Sequence, residues 1–110
     1  MTLRVSTTYL IDTLQDARAR TLELVNGLDQ VQLMGPKIPG VNPLRWEIGH
    51  IAYFYEFFIL RQLYGHESVL GAKADELYDS IAVAHDTRWD LPLLSMAETL
   101  TYMQDVLEKL

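Results

Sequence analysis

Asn42-Pro43-Leu44-Arg45-Trp46-Glu47-Ile48-Gly49-His50-Ile51-Ala52-Tyr53-Phe54-Tyr55-Glu56-Phe57 is the stretch on which the reading of this chain turns. Asn42 can cap a helix, and Pro43 falls at the first helical position, where its missing N–H costs nothing. The pattern predicts a helix running to about Tyr64 and stopped by Gly65. At about 100° per residue, Trp46, His50, Tyr53, Phe57, Leu60 and Tyr64 share one face. Ile48, Ile51, Tyr55 and Ile59 enrich the opposite side. A helix apolar nearly all round is central, with neighbours on several sides. This one carries a histidine at its middle. Burying an imidazole among aromatics costs free energy unless both ring nitrogens find partners. His50 therefore calls for a hydrogen bond, a water or a metal.

The flanking segments supply that helix with partners. Leu10, Leu14, Ala17, Thr21, Leu24, Val25 and Leu28 recur at helical spacing, which predicts a first helix from about Thr8, its N-cap, to Asn26, with Gly27 as its stop. Residues 28–41 read as a connector, with turn signals at Gly35-Pro36 and Pro39-Gly40. Its Val31, Leu33, Met34 and Ile38 are expected to tuck into the ends of the bundle. After Gly65 the pattern is irregular. Residues 66–74 suggest a short helical turn, and Tyr78 to Pro92 an ordered, packed loop. A third helix starts at Ser95, which forms a Ser-x-x-Glu capping box with Glu98. Met96, Leu100, Met103, Val106, Leu107 and Leu110 form its stripe. It reaches Lys109-Leu110 with no glycine or proline stop. The expectation is a single all-α, up-and-down bundle of three long helices plus an irregular loop, lacking its last helix.

Composition narrows the function classes. A chain of 110 residues buries about 60 to 70% of its unfolded surface, enough for one core. Hydrophobic residues at 49% and charged residues at 22% describe an ordinary globular domain. A net charge of −6, with nine scattered basic residues, argues against a nucleic-acid footprint. Absence of cysteine removes disulfides, thiolate nucleophiles and cysteine-based zinc sites. The N-terminal residues form no apolar signal-peptide core. Ile48 to Leu60 is too short and too polar to span a bilayer. No membrane association and a cytoplasmic location are the expectations.

Among candidate chemical groups, His50 reads either as a core histidine bonded to a carbonyl or carboxylate, or as a metal ligand. One histidine does not make a site, because three or four ligands are needed. His66 lies about 24 Å along the helix from His50 and reads as exposed. His85 is the second metal candidate, since a loop can fold back over a bundle end. Its other reading is a hydrogen-bond anchor near Asp86 or Asp90. Glu47 and Glu56 flank His50 in sequence but point away from it. Glu56 suits a structural ion pair, with Arg88 as a candidate partner. Trp46, Trp89 and the six tyrosines read as core or as pocket lining. No Gly-rich phosphate loop, Gly-x-Ser-x-Gly elbow or His-Glu-x-x-His occurs, so no complete catalytic constellation is present.

The segment Asn42-Pro43-x-x-Trp46-Glu47-x-Gly49-His50-x-x-x-Phe54-x-Glu56 resembles the signature of DinB-like four-helix domains. More specifically, it looks like the N-terminal domain of ergothioneine-biosynthesis sulfoxide synthases and the related selenoneine synthases. Tyr78-Asp79-Ser80, the run His85 to Pro92, and Thr99-Leu100-x-Tyr102 extend the likeness over essentially the whole chain. The resemblance implies a mononuclear non-haem Fe(II) oxidoreductase that uses O₂ to join sulfur or selenium to a trimethylhistidine imidazole. It also implies three histidine ligands: His50, and a His-x-x-x-His pair on a later helix. Substrate-binding groups would come partly from a C-terminal domain resembling formylglycine-generating enzymes. The chain contains no His-x-x-x-His and no such second domain. It is therefore expected to be the metal-site fragment of a parent enzyme with a small-molecule substrate, and inactive by itself. Two alternatives stand beside this. One is a non-catalytic interaction module that dimerises through an exposed apolar helix face. The other is a DinB-like thiol transferase.

Overall fold

The computed structural model describes residues 4–110, which are helical with no strand among them. Helix α1 spans Thr7–Val25. Its N-cap is Ser6, not Thr8: Ser6 is extended, and its hydroxyl accepts the Tyr9 N–H at 3.1 Å. The predicted apolar stripe is largely uncovered. Val25 is buried and Leu22 and Leu28 pack against the core, but Leu10 is exposed and Leu24 is 79% exposed. Arg18 is buried instead and donates to the Met103 carbonyl at 2.6 Å. Burial costs the charged guanidinium hydration, and this lowers its pKa.

The connector holds a short helix that its turn residues hid. Helix α2, Gln30–Met34, opens with a capping box in which Asp29 accepts the Gln32 N–H and the Gln32 side chain accepts the Asp29 N–H. One turn of helix buries one side only. Leu33 is buried and Met34 half-buried, whereas Val31 and Ile38 face outward.

Helix α3, Leu44–Tyr55, lies at the centre and packs against α2, α4 and α5. Pro43 occupies the N-cap and Asn42 makes no capping bond; its amide joins Glu47 and Arg88 instead. The helix continues without a break into a π-helical stretch, Glu56–Leu63. Gly65, at φ 69°, allows the chain to leave, and the His66 N–H returns to the Leu60 carbonyl at 2.8 Å. The wider π winding rotates the following side chains off the predicted face. Leu60 stays buried, but Tyr64 swings outward.

Helix α4, Ala72–Tyr78, starts six residues later than the turn predicted from residue 66, after Gly71 at φ 68°. The loop that follows is ordered around a 3₁₀ turn at His85–Thr87 and buries Val83, Arg88 and Leu94. Helix α5, Met96–Lys109, begins with the expected Ser95–Glu98 capping box. Its buried face includes Thr99 and Tyr102 beside Met103 and Val106, while Leu100 is exposed. Both polar groups are satisfied, Thr99 by the Ser95 carbonyl and Tyr102 by Glu56. Among the described residues no helix is long and apolar enough to cross a membrane.

Candidate functional site

His50 is half-buried, not sealed in the core as its apolar neighbours suggested. Its Nδ1 lies 2.8 Å from the Tyr78 carbonyl oxygen. A carbonyl only accepts, so in the neutral ring Nδ1 carries the proton and Nε2 keeps its lone pair. No hydrogen bond to Nε2 is formed among the described residues. Trp46, one turn before, stacks on the imidazole with centroids 4.5 Å apart and planes 12° from parallel. Tyr53, one turn after, lies 6.4 Å away.

The position of Trp46 is fixed on both edge and face. Its indole N–H donates to the Leu77 carbonyl at 2.7 Å, and the Arg88 guanidinium lies 4.1 Å from the ring centroid. Leu77 and Tyr78 close α4, and the last carbonyls of a helix have no intrahelical partner. Here side chains of α3 satisfy them. Gly49 explains the remaining spacing of the segment. A Cβ at that position would clash with the hydroxyl-bearing edge of the Tyr78 ring. Trp46 flanks the imidazole, Gly49 admits Tyr78, and Tyr78 holds His50.

Behind this layer, Tyr78 stacks on Tyr102 at 6.0 Å, nearly parallel. Burial pushes the Tyr78 hydroxyl up to about 12; it is enclosed and makes no hydrogen bond among the described residues. Glu56 is 0% exposed. One of its oxygens accepts from the Tyr102 hydroxyl at 2.8 Å and the other from the Val69 N–H at 2.8 Å. This corrects the expected ion pair with Arg88. Arg88 bonds Asn42 and the Ser80 and Val83 carbonyls instead, because the loop wraps its guanidinium over the N-terminal end of α3.

A charged cluster borders the site on α4. The Tyr53 hydroxyl donates to Asp75 at 2.7 Å, and Arg61 reaches the same carboxylate with two nitrogens at 2.9 and 3.3 Å. Arg61 holds the Asp75 carboxyl below its ordinary range. Loss of hydration, with Asp75 adding to it, pushes the Tyr53 phenol well up. Sequence periodicity assigned Asp75 no role. Its one-turn spacing from Tyr78 in the run Ala72–Tyr78 was the available signal.

His85 takes the place of an anchor. Its Nε2 lies 2.7 Å from the Val41 carbonyl, its Nδ1 is 3.4 Å from Asp86, and Trp89 packs edge-on against the ring. His66 is exposed beside Tyr64. Trp46, Tyr53, Tyr78 and Tyr102 are core, whereas Tyr9 and Tyr64 face outward. Among the described residues no three histidine or carboxylate side chains converge on a point where a metal could be held. They provide one imidazole with a free lone pair, not a ligand set.

Residues 13–110 match the DinB superfamily. The chain is 36% identical over 91 residues to hercynine oxygenase of Mycobacterium tuberculosis, which covers 82% of this chain and 21% of that protein. It is 34% identical over 103 residues to hercynine oxygenase of Mycolicibacterium smegmatis, covering 91% and 23% respectively. The corresponding figures for hercynine oxygenase of Mycolicibacterium thermoresistibile are 34% over 95 residues, 83% and 20%. The chain thus spans about a fifth of the length of these relatives. A helical bundle organised around the Trp46-x-x-Gly49-His50 segment and matched over nearly its whole length belongs to the DinB superfamily.

Proposed function

We propose that this chain is the His50-bearing part of an iron-dependent, O₂-using enzyme that forms a C–S or C–Se bond on a trimethylated histidine. The three relatives, each named hercynine oxygenase, support an oxygenase that acts on a trimethylated histidine. The observation that carries the metal role is the single ring contact of His50. Metal-ligating histidines characteristically donate one N–H to a carbonyl or carboxylate and present the other nitrogen. The bond from Nδ1 to the Tyr78 carbonyl leaves Nε2 in that form. The other two nitrogens would be those of the His-x-x-x-His pair that the resemblance implies. Iron, when bound, would supply O₂ activation. Trp46 and Tyr53 orient the imidazole and keep water from its faces, and Tyr78 fixes its tautomer.

Fe(II) binding to a polypeptide extended to the length of the relatives tests this reading. His50→Ala should abolish tight binding while leaving the helical content unchanged. Full affinity in that variant overturns the assignment. The isolated 110-residue chain is expected to show no turnover with iron, O₂, a trimethylated histidine and a thiol or selenosugar.

One observation favours a second reading, as an interaction module. Phe54 is 53% exposed and Phe58 47% exposed, and their rings lie 4.7 Å apart, tilted by 46°, along one side of the central helix. Two copies could cover each other there. Sedimentation of a dilute sample separates the readings, since a stable monomer argues against the module.

A further inference from the structure

We infer that Asp75, clamped by Arg61, is a positioning residue for His50: it docks α4 so that the Tyr78 carbonyl holds the imidazole as the Nδ1–H tautomer. The inference rests on the metal-ligand reading of His50 only for its functional meaning; the geometry stands without it.

Helix α4 has seven residues, too few to be stable by itself in water. What orders it is its attachment to α3, and the polar attachments form three rungs. The Trp46 indole reaches the Leu77 carbonyl, the His50 ring reaches the Tyr78 carbonyl, and the Tyr53 hydroxyl reaches Asp75. The first two end on backbone at the last turn of α4, where helices fray. The third ends on a side chain one turn earlier, and that side chain is the only one of the three receptors tied to another element. Arg61 binds both of its oxygens from the π-helical stretch and lies 5.2 Å over the Phe57 ring. Tyr53 therefore has a fixed acceptor, and its ring in turn lies against His50. Asp75 and Tyr78 are three residues apart and sit on the same side of α4. Holding Asp75 therefore holds the last turn of α4, from which the Tyr78 carbonyl reaches the His50 ring.

The ring tautomer can be read directly from long-range ¹H–¹⁵N NMR spectra of the 110-residue chain in mildly alkaline buffer, with no metal present. Wild type should show His50 as a single Nδ1–H form. Asp75→Ala should convert it to an exchanging mixture of the two tautomers. Asp29→Ala, which removes the α2 cap and leaves the clamp alone, serves as the stability control and should leave the ring unchanged. Tyr53→Phe keeps the ring and deletes only the rung; it should shift the tautomer in the same direction and decides the matter if Asp75→Ala does not fold. An unaltered Nδ1–H form in both clamp variants overturns the inference, as does an equal change in Asp29→Ala. Failure of iron binding in a longer polypeptide would sink the metal reading and leave this result untouched.

Discussion

At the scale of single residues, Gly49 and Glu56 decide more than their chemistry suggests. Gly49 is not there for backbone freedom, since its φ is ordinary; it is there because the Tyr78 ring occupies the space a methyl group would need. Gly49→Ala should destabilise the chain by about 1–3 kcal/mol through overpacking, read as a lower midpoint in urea. Glu56 accepts one donor on each oxygen, the buried Tyr102 hydroxyl and the N–H of half-buried Val69. Glu56→Gln keeps the shape but turns an amide N–H₂ toward one of those donors. It should cost about 1–3 kcal/mol, the range for an unsatisfied buried polar group, again by urea denaturation. The sequence showed Glu56 to lie among apolar residues. It could not show that the partners would be a tyrosine 46 positions away and a backbone amide 13 away.

Elements were legible where their signals are local. The Ser95–Glu98 box and the Gly65 stop depend on residues within one turn, and both are found in place. Ser95→Ala should lower stability by about 1 kcal/mol, checked as a shift in thermal midpoint. The π winding after Tyr55 carried no comparable mark, and it is what turned Tyr64 outward. The joint between α4 and the central helix has a pH signature. Asp75 has a folded-state pKa below its ordinary value because Arg61 is bonded to it. Its contribution is therefore complete above the unfolded value and is lost as pH falls through the folded one. Stability should decline on acidification below about pH 4, the ordinary carboxylate value. In Asp75→Asn the decline should be shallower. Urea midpoints compared between neutral and acid buffer provide the check.

As a whole molecule, the chain is more open than a closed bundle of its size. Its radius of gyration is 15.0 Å, against about 13 Å for a compact domain of this length. Helix α1 leaves Tyr9, Leu10, Ile11 and Leu24 exposed and borders α5 across a cavity of about 650 Å³. That cavity is lined by Leu22, Val25, Met96, Leu100 and Met103. Few apolar contacts mean low local stability. Amides in the first half of α1 should exchange with solvent markedly faster than those of α3 and α5. Hydrogen exchange by mass spectrometry would show it, and equal protection would contradict the packing described.

The amino-acid order alone determined the all-helical class, the start of the last helix, and the singling out of His50. These follow from periodicity and from capping, both of which act over three or four residues. It did not determine that the imidazole would be half-open, that a carbonyl from α4 would choose its tautomer, or that Asp75, Arg61 and Tyr53 would meet. Those depend on how a short helix docks against a central one. The contacts involved join residues 14 to 31 positions apart, and such distances carry no periodic trace in the chain. Only packing, in which a missing Cβ at Gly49 admits one aromatic ring, brings them together.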